Sequence, residues 1–145
     1  MGTITENFSY REFEKSETAD KHGICNVICD FRVRDAIKAL TETVLQPLRT
    51  HLGVRCTITS GYRCPELNAI ISNSSETSQH QKGEAADTQW EGLAPIDVAR
   101  AAVEQQLPFD QMILYPDFVH FSHKLEGEQR HQILYNWRYK GEKPW

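Results

Sequence analysis

His80 and Asp87 stand seven positions apart in SQHQKGEAAD (Ser78 to Asp87), and another histidine, His120, follows in DFVHFS (Asp117 to Ser122). Two imidazoles and one carboxylate make a three-ligand set for a divalent metal. A tetrahedral Zn²⁺ held by three protein groups keeps its fourth position for water or substrate, the stoichiometry of a catalytic rather than a structural site. The same donors also describe the facial triad of a non-haem Fe(II) oxygenase, so residue types alone leave two metal chemistries open. Ala85 and Ala86, just before Asp87, leave space beside the carboxylate.

For these groups to meet, the segments that carry them must lie side by side. Glu84 to Gln89 reads as a strand on which Ala85 and Asp87 share a face, with His80 in the loop leading in. Phe118 to Ser122 reads as another, with Phe118, His120 and Ser122 on one face, so His120 meets His80 and Asp87 if the two strands are sheet neighbours. Around them, Arg55 to Ser60 (RCTITS) is rich in β-branched residues and predicts a strand, as do Gln111 to Tyr115 and Gln132 to Trp137. Phe8 to Lys15 predicts a short helix with Ser9 and Glu12 as a capping box. Val33, Ile37, Leu40, Val44 and Leu48 recur at helical steps, predicting a helix from about Phe31 to His51 that Pro47 kinks or divides and Gly53 stops. Prolines also open short helices over Glu66 to Ile71 and Pro95 to Gln105. Helices first and closely spaced strands later predict an α+β fold, a small, mainly antiparallel sheet packed with helices, in a single domain spanning 1–145.

Composition narrows the function. A chain of 145 residues, 39% hydrophobic and 25% charged, suffices for one core. The formal charge of −4 provides no basic field for nucleic acid or an anionic membrane. No run approaches the ~18 apolar residues of a membrane span, and the N-terminus lacks a signal-peptide pattern, so synthesis in the cytoplasm is expected. Cys25, Cys29, Cys56 and Cys64 lack the paired spacing of a zinc knot and read as free thiols, Cys56 within a buried strand. Tyr62, Trp90 and Trp137 are read as core aromatics, with groove walls as the alternative, and His22, His51, His123 and His131 as structural histidines.

SGYRCPELN (Ser60 to Asn68), SQHQKGEAAD and DFVHFS resemble, in order and spacing, the signatures of the D-alanyl-D-alanine carboxypeptidase-like zinc peptidases of peptidoglycan, in their compact bacterial and phage branch. NFSYREFEKSETADKHGI, VLQPLR and LPFDQMIL extend the likeness from Asn7 to Trp137. The resemblance implies that His80, Asp87 and His120 bind Zn²⁺, and that Asp117 is the general base that activates water. Relatives often carry glutamate at that position. It also implies that Arg63 holds the scissile carbonyl, and that Ser78, Gln79 and Tyr62 border the substrate groove. The implied partner is the peptidoglycan stem peptide, cut by a monomer that reaches the wall after lysis, by export or as a phage component. Both D-Ala-D-Ala carboxypeptidases and L-Ala-D-Glu endopeptidases share such a motif, and a catalytically inactive wall-binding or tail-associated module would keep the fold.

Against the implied roles stand plain ones. Asp117 after Pro116 suits a turn, and Arg63 is near enough in sequence to pair with Glu66.

Overall fold

A computed structural model describes residues 2–71 and 78–145. The chain opens with a small hairpin, β1 (Thr3–Thr5) and β2 (Phe8–Ser9), followed by α1 (Tyr10–Glu14) and α2 (Glu17–Lys21). Next comes α3 (Phe31–Leu40), continuing through a π-helical turn (Thr41–Leu45) into α4 (Gln46–Leu52). After these come β3 (Cys56–Ser60), α5 (Pro65–Ile70), a 3₁₀ turn (Gln79–Lys82), β4 (Ala85–Trp90), α6 (Pro95–Glu104), β5 (Gln111–Leu114), β6 (Val119–Ser122) and β7 (Gln132–Tyr135).

Local chemistry accounts for the helix boundaries. The Glu12 carboxylate accepts the Ser9 amide at 2.7 Å, the reciprocal half of a capping box, and so starts α1 at Tyr10. Phe8 and Ser9, expected inside this helix, pair instead with β1, because Phe8 belongs to the core and the chain must turn to deliver it there. Pro47 has no amide to donate and its ring crowds the carbonyl four residues back, so the long helix widens into the π turn just before it rather than ending. Thr41 and Thr43 hydroxyls donate to the Ile37 and Ala39 carbonyls at 2.8 and 2.6 Å, where α3 gives way to the π turn. Gly53, at φ 66°, closes α4 with its amide on the Arg49 carbonyl.

The main sheet has the order β3-β4-β6-β5-β7, antiparallel except for the β5–β7 pair, an α+β arrangement as the sequence predicts. One sheet face is apolar. Ala86, Trp90, Met112, Leu114, Val119 and Phe121 lie buried on it and join Ile37, Leu40, Leu45 and Leu48 of the long helix and Val98 and Ala102 of α6 in one core. Fully burying each such large side chain contributes about 1.5–3 kcal/mol. Alternation then puts Asp87, Gln89 and His120 on the opposite face. Trp90 is buried, with its indole N–H donating to Thr88 Oγ1 at 2.8 Å, but Trp137 is 83% exposed and is no core residue. It lies just past the end of β7, an edge strand of the sheet. Cys56 is buried; Cys25 and Cys29 are exposed and all four thiols are free.

Candidate active site

The β4–β6 register sets Asp87 opposite His120, two adjacent positions on the sheet face opposite the apolar core. His80 reaches them from the 3₁₀ turn. That turn begins at Ser78, whose Oγ accepts the His80 amide at 3.2 Å, and ends at Gly83, where φ is 74° and an added Cβ would lie 2.6 Å from the Val33 carbonyl oxygen. Only glycine fits both the backbone conformation and the approach to α3.

The donor atoms converge. His80 Nε2 lies 3.6 Å and His120 Nδ1 2.9 Å from the same oxygen, Asp87 Oδ1. Two atoms each bonded to zinc at about 2.1 Å at the tetrahedral angle are about 3.4 Å apart, so this spacing fits one ion. His80, Asp87 and His120 offer ligand atoms all within 4.8 Å of one another, the one such His/Cys/Asp/Glu group among the described residues. The four cysteines form none.

Protonation suits the same role. His80 Nδ1 lies 2.7 Å from the Gly61 carbonyl oxygen, which can only accept, so Nδ1 carries the proton and Nε2 presents its lone pair toward Asp87. Burial pushes the His80 imidazole below its ordinary value and outweighs the pull of Asp87, keeping it in the neutral, ligating form. Burial opposes ionisation of Asp87, but its two imidazole neighbours, with a hydrogen bond from His120 Nδ1 at 2.9 Å, hold its carboxyl well below the usual carboxylate range.

Arg63 stands at this site rather than on the surface with Glu66. Its guanidinium lies 3.7 Å from Asp87 Oδ2, its Nε donates to Ser60 Oγ at 3.2 Å, and its amide donates to the His80 carbonyl at 3.1 Å. Burial lowers its basicity and Asp87 partly restores it.

The other sequence-predicted residues are dispersed. Asp117 is exposed in the turn before β6, and its backbone carbonyl accepts Gln89 Nε2 at 3.3 Å. No described residue bonds its carboxylate, which lines a cleft of about 420 Å³ with Arg55, Thr57 and Gln89. Thr57 and Gln89 pair across β3 and β4, and Gln89 shares the Asp87 face. Gln79 Nε2 is spent on Glu84 Oε1 and Asp110 Oδ2, at 3.2 and 3.1 Å. Tyr62 is half-buried against the core, its amide on the Phe13 carbonyl at 2.7 Å.

Tyr115 is a neighbour that the sequence reading missed. Its ring stacks on Phe118 at 4.1 Å between centroids. Ile113 pairs with His120, so Tyr115, two positions further on, falls on the sheet face that carries the site; burial and then the Asp87 charge raise its phenol above the ordinary value.

A sheet face bearing a largely buried His–Asp–His set with a neighbouring guanidinium suits metal-assisted hydrolysis. The chain belongs to the Peptidase M15 family, whose model matches residues 6–123, and it is a metallopeptidase. Members of that family are metalloenzymes, typically of zinc, and the donor set here suits that ion. No curated protein matches the chain.

Proposed function

We propose that the protein hydrolyses a peptide bond in the stem of bacterial peptidoglycan, with D-Ala-D-Ala carboxypeptidase action as the preferred reading. The observation that carries it is the convergence of His80 Nε2, Asp87 Oδ1 and His120 Nδ1, with Arg63 3.7 Å from the same carboxylate. When bound, zinc supplies Lewis acidity and acidifies a water molecule near neutral pH.

The chain's own groups do the rest. Asp117 takes the proton of the attacking water and returns it to the amine that leaves as the peptide C–N bond breaks; its carboxylate is exposed, unengaged by described residues and three positions before His120. Arg63 binds the carbonyl oxygen and stabilises the negative charge that develops there, which a fixed, partly desolvated guanidinium does far better than water. Asp87 is the one carboxylate among the three groups that would hold a divalent ion, so the site would keep a net positive charge and favour negative charge on the substrate's carbonyl oxygen. Ser78, Gln79 and Tyr62 border the groove. The enzyme acts as a monomer on the wall, reached by lysis, export or as part of a phage particle.

Incubation of the zinc-loaded protein with soluble pentapeptide muropeptides, read by product mass, tests this. Loss of one terminal alanine supports the carboxypeptidase; release of the stem at its first alanine makes the protein an L-Ala-D-Glu endopeptidase. Survival of both muropeptides and whole sacculi would replace the peptidase with a wall-binding module.

A further inference from the structure

Asn26 lies in the extended segment between α2 and α3, distant in sequence from every residue of the site, and is 7% exposed. Its amide nitrogen donates to the Tyr62 carbonyl at 2.8 Å and the Glu14 carbonyl at 2.9 Å, and its Oδ1 accepts the Cys64 amide at 2.8 Å. Tyr62 and Cys64 flank Arg63. A single planar side chain thus bonds the backbone on both sides of the arginine, as a neighbouring strand would.

The position calls for such a partner. Residues 61–64 form no helix or strand, so no ladder fixes their backbone. The loop is held at Gly61, where an added Cβ would lie 2.7 Å from Phe13 Cα, by the Tyr62 amide on the Phe13 carbonyl, and by the Arg63 amide on the His80 carbonyl. Asn26 adds the bonds at the Tyr62 carbonyl and the Cys64 amide and ties the loop to the end of α1 through Glu14. Asparagine suits the place by chemistry. Aspartate would set a second acceptor against two carbonyl oxygens, leucine would leave a donor and two acceptors unpaired, and glutamine is one methylene too long for all three bonds.

We propose that Asn26 is the positioning residue for Arg63, its amide fixing the backbone on either side so that the guanidinium stays beside the His80–Asp87–His120 set. The inference rests on the assignment of Arg63 to the reaction. It predicts that Asn26 acts on turnover through Arg63 and not through the metal.

The test is a double-mutant cycle of N26A and R63A in the full chain loaded with zinc, read as kcat and KM on muropeptides together with zinc content. N26A is expected to lose 10- to 10²-fold in kcat at unchanged zinc stoichiometry, the scale of a group misplaced by about an ångström. In the R63A background the same substitution should cost less than about twofold, because no guanidinium is left to misplace. An equal loss in both backgrounds, or wild-type turnover in N26A or R63A, overturns the proposal. If N26A fails to fold, N26S, whose single short hydroxyl cannot make all three bonds but leaves no charge facing the two carbonyl oxygens, takes its place in the cycle. A second readout is independent of activity: exchange of the Arg63 Nε–H with solvent should quicken on the order of tenfold in the Asn26 variant as the loop loosens. Should the wild type cleave no muropeptide, the proposed function fails and this exchange alone decides the positioning role; an unchanged rate overturns it.

Discussion

The Gly61 carbonyl accepts the Nδ1 proton of His80 at 2.7 Å, and this bond selects the nitrogen that faces Asp87. A backbone group nineteen residues upstream therefore sets the tautomer of a candidate ligand. Gly61 can approach so closely because it has no side chain. An added Cβ would meet Phe13 Cα at 2.7 Å and its carbonyl oxygen at 2.9 Å, atoms of α1 that cannot rotate away.

Gly61→Ala should therefore lower stability by about 1–3 kcal/mol as the overpacked loop shifts. With the carbonyl displaced, zinc affinity should fall by about 10- to 100-fold, the usual cost of losing an orienting partner of a ligand. Denaturant melts and competition with a chelating dye measure the two effects. Normal zinc affinity in a destabilised variant would show that the tautomer is set elsewhere.

Asp117→Asn retains volume and removes the basic carboxylate. The residue is exposed and no described residue bonds its carboxylate, so stability and zinc content should hold. Turnover should fall on the order of 10²-fold or more if Asp117 is the base. Near-normal kcat would make Asp117 a turn former only.

Arg63→Lys keeps a positive charge but loses the planar fork that spans Ser60 Oγ and Asp87. A fall in kcat on the order of 10²-fold, with KM little changed, is expected of a group that binds charge developed in the transition state. Equal activity would assign the arginine to the fold.

Acid stability has a separate source. Asp110 is fully buried, and although burial raises its carboxyl, hydrogen bonds from Arg130 bring it down to about 2. A carboxyl that is more acidic folded than unfolded stabilises the native state above its ordinary value near 3.8 and loses that contribution as pH falls from there toward 2. Asp110→Asn should cost about 1–3 kcal/mol at neutral pH and flatten the stability profile over that acid window. Urea melts from pH 7 to pH 2 measure it, and an unchanged slope in the variant would point to other carboxyls.

The parts of the site that the sequence shows are those whose chemistry resides in side-chain type and strand parity. His80, Asp87 and His120 are rare donor types, and alternation along β4 and β6 alone places two of them on one face. Arg63 is legible from its motif, but its contact with Asp87 is not, since Glu66 is nearer along the chain. The supports leave no such trace. The Gly61 carbonyl is a backbone atom, and Asn26 acts across 36 and 38 residues, so neither has a periodic signal. The β1–β2 hairpin is too short for a period to show, and the π turn before Pro47 is a tertiary compromise between a missing amide and a stripe of core residues. Trp137 misleads for a related reason: aromatic character predicts burial only where another layer covers the strand end.

Metal content tests the central claim most directly. The purified protein should hold about one zinc per chain, and alanine at His80, Asp87 or His120 should each lose metal and activity together. The Cys25→Ser, Cys29→Ser double variant should bind the same amount as the wild type, since both thiols are exposed and form no ligand group with described residues. Full zinc retention in all three alanine variants would contradict the account, because the sheet face that carries Asp87 and His120 would then not be the metal site.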